Sequence, residues 1–182
     1  MQKAELYNQY PLSSVFIYNA STILHFMAGG LLLCATNKFI GPWGIAIGLL
    51  YILFAHFEMY IMMPLQVCKN CSYFRLDGGL CISGLNMIAK KIARLGNPSD
   101  FPKRAEGFFC PNNIYIFNLV LPILCGIPIL IFNFSWLLLL LEVSLFLLLA
   151  IRFVFIIPQL ACVHCLSKSV CPQAGQMGVR EK

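Results

Sequence analysis

Four apolar runs, each long enough to cross a lipid bilayer, decide what this chain can become. They occupy about residues 15–36, 40–63, 114–132 and 134–157. A hydrocarbon core of ~30 Å is crossed by about 20 residues of helix. Lipid offers no partner to an exposed backbone N–H or C=O, so a run of this length must be helical. The expected fold is therefore an all-α integral membrane protein of four transmembrane helices forming one domain over residues 1–182. Composition agrees, because only 11% of residues are charged, where a soluble domain carries roughly 25%. Asn37-Lys38-Phe39 and the Asn133 region are short junctions, so the runs pair as two tight hairpins. The segment before the first run is polar, and no small-x-small cleavage site closes that run. The first helix is expected to be retained rather than removed as a signal.

Basic residues set the orientation. Lys69, Arg75, Lys90, Lys91, Arg94, Lys103 and Arg104 lie in the loop 64–113, and Lys168, Arg180 and Lys182 lie in the tail 158–182. Lys3 joins them, and the opposite face holds Lys38 alone. The positive-inside rule then puts both termini and the long loop in the cytoplasm, with a prokaryotic inner membrane as the expected location. The net charge of +6 follows from this topology and implies membrane lipid, not nucleic acid, as the partner of the basic face.

The two halves resemble each other. Pro64, Cys68 and Cys71 match Pro158, Cys162 and Cys165 at a constant offset of 94 residues. The same offset sets Glu58 opposite Arg152. The chain reads as two pseudo-repeated hairpins, each followed by Pro-x3-Cys-x2-Cys. Because both hairpins start and end on one side, the pseudo-axis runs along the membrane normal and draws the two Cys-x2-Cys knuckles together.

Seven of the nine cysteines fall on this basic face: Cys68, Cys71, Cys81, Cys110, Cys162, Cys165 and Cys171. Cys34 and Cys125 lie within apolar runs and read as small buried hydrophobes. Structural disulfides do not persist in a reducing cytoplasm, so metal binding or redox chemistry is the better reading of the seven. A Cys-x2-Cys turn aims two thiolates at one point, and a tetrahedral thiolate set suits iron–sulfur or zinc. Two arrangements stay open. One site joins Cys68, Cys71, Cys162 and Cys165. Alternatively each half holds its own site, Cys68, Cys71, Cys81 and Cys110 in the first and Cys162, Cys165 and Cys171, completed by His164 or an outside ligand, in the second.

Between the cysteines, Ile82, Leu85, Ile88, Ala89, Ile92 and Leu95 recur at helical spacing opposite Lys90, Lys91 and Arg94. This pattern predicts an amphipathic helix, lying on the leaflet or packed as a lid on the bundle. Within the membrane, Glu58 and Arg152 are expected to pair, since an unpaired charge there is costly. His25 and His56 both fall roughly 12–15 Å from the basic face at 1.5 Å per residue. They could share a haem, a quinone or a metal, or each could bond to nearby backbone.

The chain has no phosphate-cradling glycine loop, no Gly-x-Ser-x-Gly elbow and no His-Glu-x-x-His. Its extramembrane parts are too short for a separate catalytic domain. The leading expectation is a membrane redox subunit that binds iron–sulfur and relays electrons between a soluble partner, or a larger complex, and the membrane. A scaffold with structural zinc and a thiol–disulfide oxidoreductase are the alternatives.

Overall fold

The computed structural model describes residues 4–180. Lys3 and Lys182, counted above toward the basic face, lie outside them. Of the described residues, 72% are helical and none forms a strand. Four helical stretches are long and apolar enough to cross a membrane: Leu12–Ile40, Pro42–Asn70, Pro111–Phe132 and Trp136–Cys162. The chain is an all-helical integral membrane protein. Phe16, Trp43, Leu53, Ile131 and Trp136 are each more than half exposed, as lipid-facing side chains should be.

The first span is α1 (Leu12–Cys34), followed by one short turn, Asn37–Ile40. The second begins as α2 (Pro42–Phe57). These two helices touch backbone to backbone. A Cβ on Gly48 would stand 2.5 Å from the Gly30 carbonyl oxygen and 2.3 Å from the Cys34 sulfur. Small residues permit such an approach, and in lipid close packing is a main source of helix association. On the cysteine side of the bundle lies α3 (Leu85–Ile92). The third span is α4 (Pro111–Phe132), and the fourth begins as α5 (Trp136–Ile151). The α1 helix packs against α2, α4 and α5. Phe26 and Leu33 of α1 meet Tyr51 and Ala55 of α2 and Tyr115 and Leu119 of α4 in the main core.

The second and fourth spans overrun the boundaries expected from hydropathy. Both continue through their prolines and both contain π-helix: Glu58–Met62 in one, ending just before Pro64, which lies in the α-helical turn Met63–Gln66, and Arg152–Cys162 in the other, which contains Pro158. The two π-helical segments start at Glu58 and Arg152, the same offset of 94 that relates the prolines and cysteines. In a π turn each N–H reaches five residues back. Met63 N–H bonds to the Glu58 carbonyl and Val163 N–H to the Pro158 carbonyl. Around Pro158 the widened turns accommodate the hydrogen bond that a proline cannot donate, so the helix continues instead of ending.

The expected Glu58–Arg152 pair does not form. Among the described residues the one ion pair joins Lys103 to Asp100 at 2.7 Å. Equal depth does not fix azimuth. Arg152 turns toward α1, where its Nη1 donates to Ser21 Oγ at 3.1 Å.

The amphipathic segment is shorter than its pattern. Gly84, at φ +70°, turns the chain just before Leu85, and Ala93 is already extended. Leu85 and Ala89 are buried, and Leu85 joins the core with Phe26 and Tyr115. The α3 helix therefore packs on the bundle. Its base is held by Asn86, which accepts from Cys81 N at 3.1 Å and donates to Gly79 O at 2.7 Å. The N-terminal segment crosses the same face. Tyr10 N–H bonds to Leu80 O at 2.9 Å and Tyr7 N–H to His164 O at 3.0 Å, tying loop and tail together.

Candidate functional site

The two Cys-x2-Cys knuckles meet. Each lies at the end of a span that contains a π-helical segment and runs on past its proline, and both line one cavity of about 160 Å³. Six cysteines line it: Cys68, Cys71 and Cys81 from the first half, Cys162, Cys165 and Cys171 from the second. All nine cysteines are free thiols. Ser167, 1% exposed, latches the knuckles to each other. Its hydroxyl lies 3.3 Å from Cys71 Sγ, donates to Ser72 Oγ at 3.0 Å and accepts from Ser72 N–H at 3.4 Å. Tyr10 adds a second tie, donating its hydroxyl proton to the Ala161 carbonyl.

Cys110 stands apart. It does not line the cavity, and it caps α4, where its sulfur accepts from Asn113 N–H at 3.4 Å. His164 also points elsewhere. Its Nδ1 lies 2.8 Å from Glu5 O and its ring stacks on Tyr7 at 4.3 Å. Among the described residues, no three His, Cys, Asp or Glu side chains converge closely enough to hold one ion. The six thiols are spread around a wall and do not meet at a point.

The charges around the wall share one sign. Among the described residues, Arg104 and Lys168 line it and no aspartate or glutamate does. Arg104 donates to Gln173 Oε1 and lies 5.1 Å over the Phe101 ring. Burial, more than any neighbour, pushes the Cys71 thiol up from its ordinary pKa, while the Ser167 hydroxyl opposes that shift. Burial likewise drives Cys165 up to about 12, and the neighbouring Cys71 adds to it. Both are therefore neutral thiols near pH 7 unless a cation displaces the proton.

Arg152 does not line this cavity, but it packs on two tyrosines that do. It is 1% exposed. Its guanidinium carbon stands 4.6 Å from the Tyr18 ring centroid and 5.4 Å from that of Tyr115, and both rings line the cavity. Its Nε and Nη2 have no hydrogen-bond partner. A desolvated cation–π contact contributes about 2 kcal/mol, whereas burying an ion costs several kcal/mol.

Each histidine of the bundle bonds to a backbone carbonyl. His25 is buried, with Nε2 2.8 Å from the Leu119 carbonyl of α4. A carbonyl only accepts, so Nε2 carries the proton and Nδ1, which has no partner, is bare. His56 Nδ1 bonds to Ile52 O at 2.8 Å within its own helix, and the ring lies 5.6 Å from Phe26 and 6.1 Å from Tyr60. These are the backbone bonds that the sequence allowed as the alternative to a shared ligand.

No family model, curated protein or solved structure matches this chain. The functional reading therefore stands on the cavity itself.

Sequence reasoning did not single out Tyr10, Tyr73, Ser167 or Arg104 as site residues. Arg104 was counted only as a basic loop residue, and the three hydroxyls carry no spacing signal. The position of Ser167, two residues beyond the second knuckle, is the one hint that it serves the knuckle.

Proposed function

We propose that the six-cysteine cavity holds a polynuclear iron–sulfur centre, and that the chain is a membrane redox subunit relaying electrons between a soluble partner and the membrane. The observation that carries this reading is that both knuckles, with Cys81 and Cys171, line a single cavity which, among the described residues, has cations and no carboxylates in its wall. The two hairpins are then a repeat whose pseudo-axis passes near the centre, and the matched π-helical segments support that reading. The cysteine face and both ends of the chain lie on the cytoplasmic side of a prokaryotic inner membrane, as the distribution of Lys and Arg favours.

Size and spacing separate the candidates. One zinc takes four ligands at about 2.3 Å from the metal. Six thiols around a void of about 160 Å³ fit a larger occupant, since ~150 Å³ is the volume of a cavity that accepts benzene. Thiol–disulfide exchange needs a thiolate at neutral pH. Burial pushes Cys71 and Cys165 the other way. An iron–sulfur centre would supply one-electron transfer. The chain's own part is to present thiolates, exclude water with Tyr10, Tyr73 and Phe101, and set the surrounding charge.

Purification in detergent without oxygen tests the proposal. Bound iron with acid-labile sulfide, and broad absorption near 400 nm that bleaches with dithionite, are expected. Colourless protein with stoichiometric zinc would overturn it in favour of the scaffold. Metal-free protein with a reversible disulfide would favour the exchange enzyme.

A further inference from the structure

We infer that a groove between the ends of the second and third spans, on the cysteine side, binds the headgroup of an anionic phospholipid. The inference is independent of the redox reading. It narrows the general attraction of a basic face for lipid to one built site.

The groove lies where two membrane helices end. Lys69 and Asn70 close the second span, Pro111 opens the third, and all three line the space. Asn97, Lys103 and Arg104 reach it from the loop that joins those spans. That loop is fastened to the end of the second span. Gly96 N–H bonds to Lys69 O at 3.2 Å, and Arg75 Nη2 donates to Gly96 O at 2.8 Å. Only glycine allows so close an approach, since a Cβ on Gly96 would stand 1.9 Å from Asn70 Oδ1. The enclosed space is about 380 Å³, more than twice the cysteine cavity. Its height, at the boundary of the hydrocarbon, is that of lipid headgroups.

The chemistry of the wall selects an anion. Lys69, Lys103 and Arg104 stand against one acid, Asp100, which is already paired with Lys103 at 2.7 Å. Among the described residues, Lys69 and Arg104 form no ion pair. Arg104 donates to Gln173 through Nη2, while its buried Nε has no partner. Basic pockets of this kind between membrane helices hold lipid phosphates. Free phosphate carries the same charge, but a neighbouring feature favours the lipid. Phe108 and Phe109, each 83% exposed, immediately precede Cys110-Pro111. Apolar side chains this exposed mark a surface that lipid covers, and acyl chains beneath a bound headgroup would cover them.

The experiment titrates the full chain, purified in a neutral detergent, with dioleoyl phosphatidylglycerol, with dioleoyl phosphatidylcholine and with inorganic phosphate. Native mass spectrometry counts bound lipid per chain. Lys69→Gln with Lys103→Gln removes two groove cations, and Lys91→Gln with Arg94→Gln removes two exposed cations elsewhere on the same face. Wild type is expected to bind one phosphatidylglycerol in preference to phosphatidylcholine. Each groove cation contributes about fivefold in affinity, from ~1 kcal/mol per basic residue, so the groove variant should bind more than tenfold weaker and the control variant within about twofold. Lys103→Gln alone, at a position 63% exposed, should lose about fivefold and serves where the double variant fails to fold. Equal binding of the two lipids by wild type overturns the inference. So does an equal loss in groove and control variants, since diffuse charge would then be at work. Inorganic phosphate bound in the groove as tightly as phosphatidylglycerol would assign the site to the free ion and overturn the lipid.

Discussion

Replacing Gly48 with alanine probes the closest packing in the fold. The added Cβ would lie 2.5 Å from the Gly30 carbonyl oxygen and 2.9 Å from Cys34 N, against an ordinary contact distance of 3.4–4 Å. Backbone cannot rotate out of the way, so α1 and α2 must separate by roughly 1 Å. Overpacking of this type costs about 1–3 kcal/mol. Alanine also recovers up to about 1 kcal/mol of helix propensity. The net expectation is a loss of about 1–2 kcal/mol of bundle stability. Steric trapping in bicelles or controlled unfolding in SDS would measure it, with Leu50→Ala, 64% exposed to lipid, as the control. Adding Cys34→Ala should not rescue the variant, because the Gly30 carbonyl remains. A Gly48→Ala protein as stable as wild type, or a full rescue by Cys34→Ala, would refute the argument that the hairpin is a backbone contact.

Two further outcomes follow from the described groups. Metal-free protein should lose stability as pH rises from ~8.5, the ordinary thiol value, toward the value of about 12 to which burial drives Cys165. In that window the unfolded chain has released the proton that the fold retains. Metal-loaded protein should respond less, its thiols being already deprotonated, and thermal unfolding at pH 8 and pH 10 would compare the two. His25→Ala removes the bond from Nε2 to Leu119 O at 2.8 Å and should cost about 1 kcal/mol of bundle stability. Iron content should not change, and a fall in iron would show that His25 serves the centre.

Much of this fold is legible because lipid leaves few choices. Run length fixed the number of spans. The span ends were less legible. Proline signals a helix end in water-soluble chains, but here Pro64 starts a further α-helical turn and Pro158 lies within π-helix, and each helix runs on to its knuckle. Residue count gives depth but not azimuth, which is why the matched depth of Glu58 and Arg152 does not make them an ion pair. At the site, spacing drew attention to Cys68, Cys71, Cys162 and Cys165, and the structure brings all four to one cavity with Cys81 and Cys171. Cys110 bore the same local mark as Cys171, a following proline. In its case the pair starts a transmembrane helix, and the sulfur serves as its cap.

The most direct test counts iron in two double variants, Cys68→Ser with Cys71→Ser and Cys162→Ser with Cys165→Ser. A centre shared by both knuckles predicts that each double variant loses all of its iron and sulfide. Retention of half the wild-type iron by either one would mean two independent sites and would contradict the shared cavity as the seat of function.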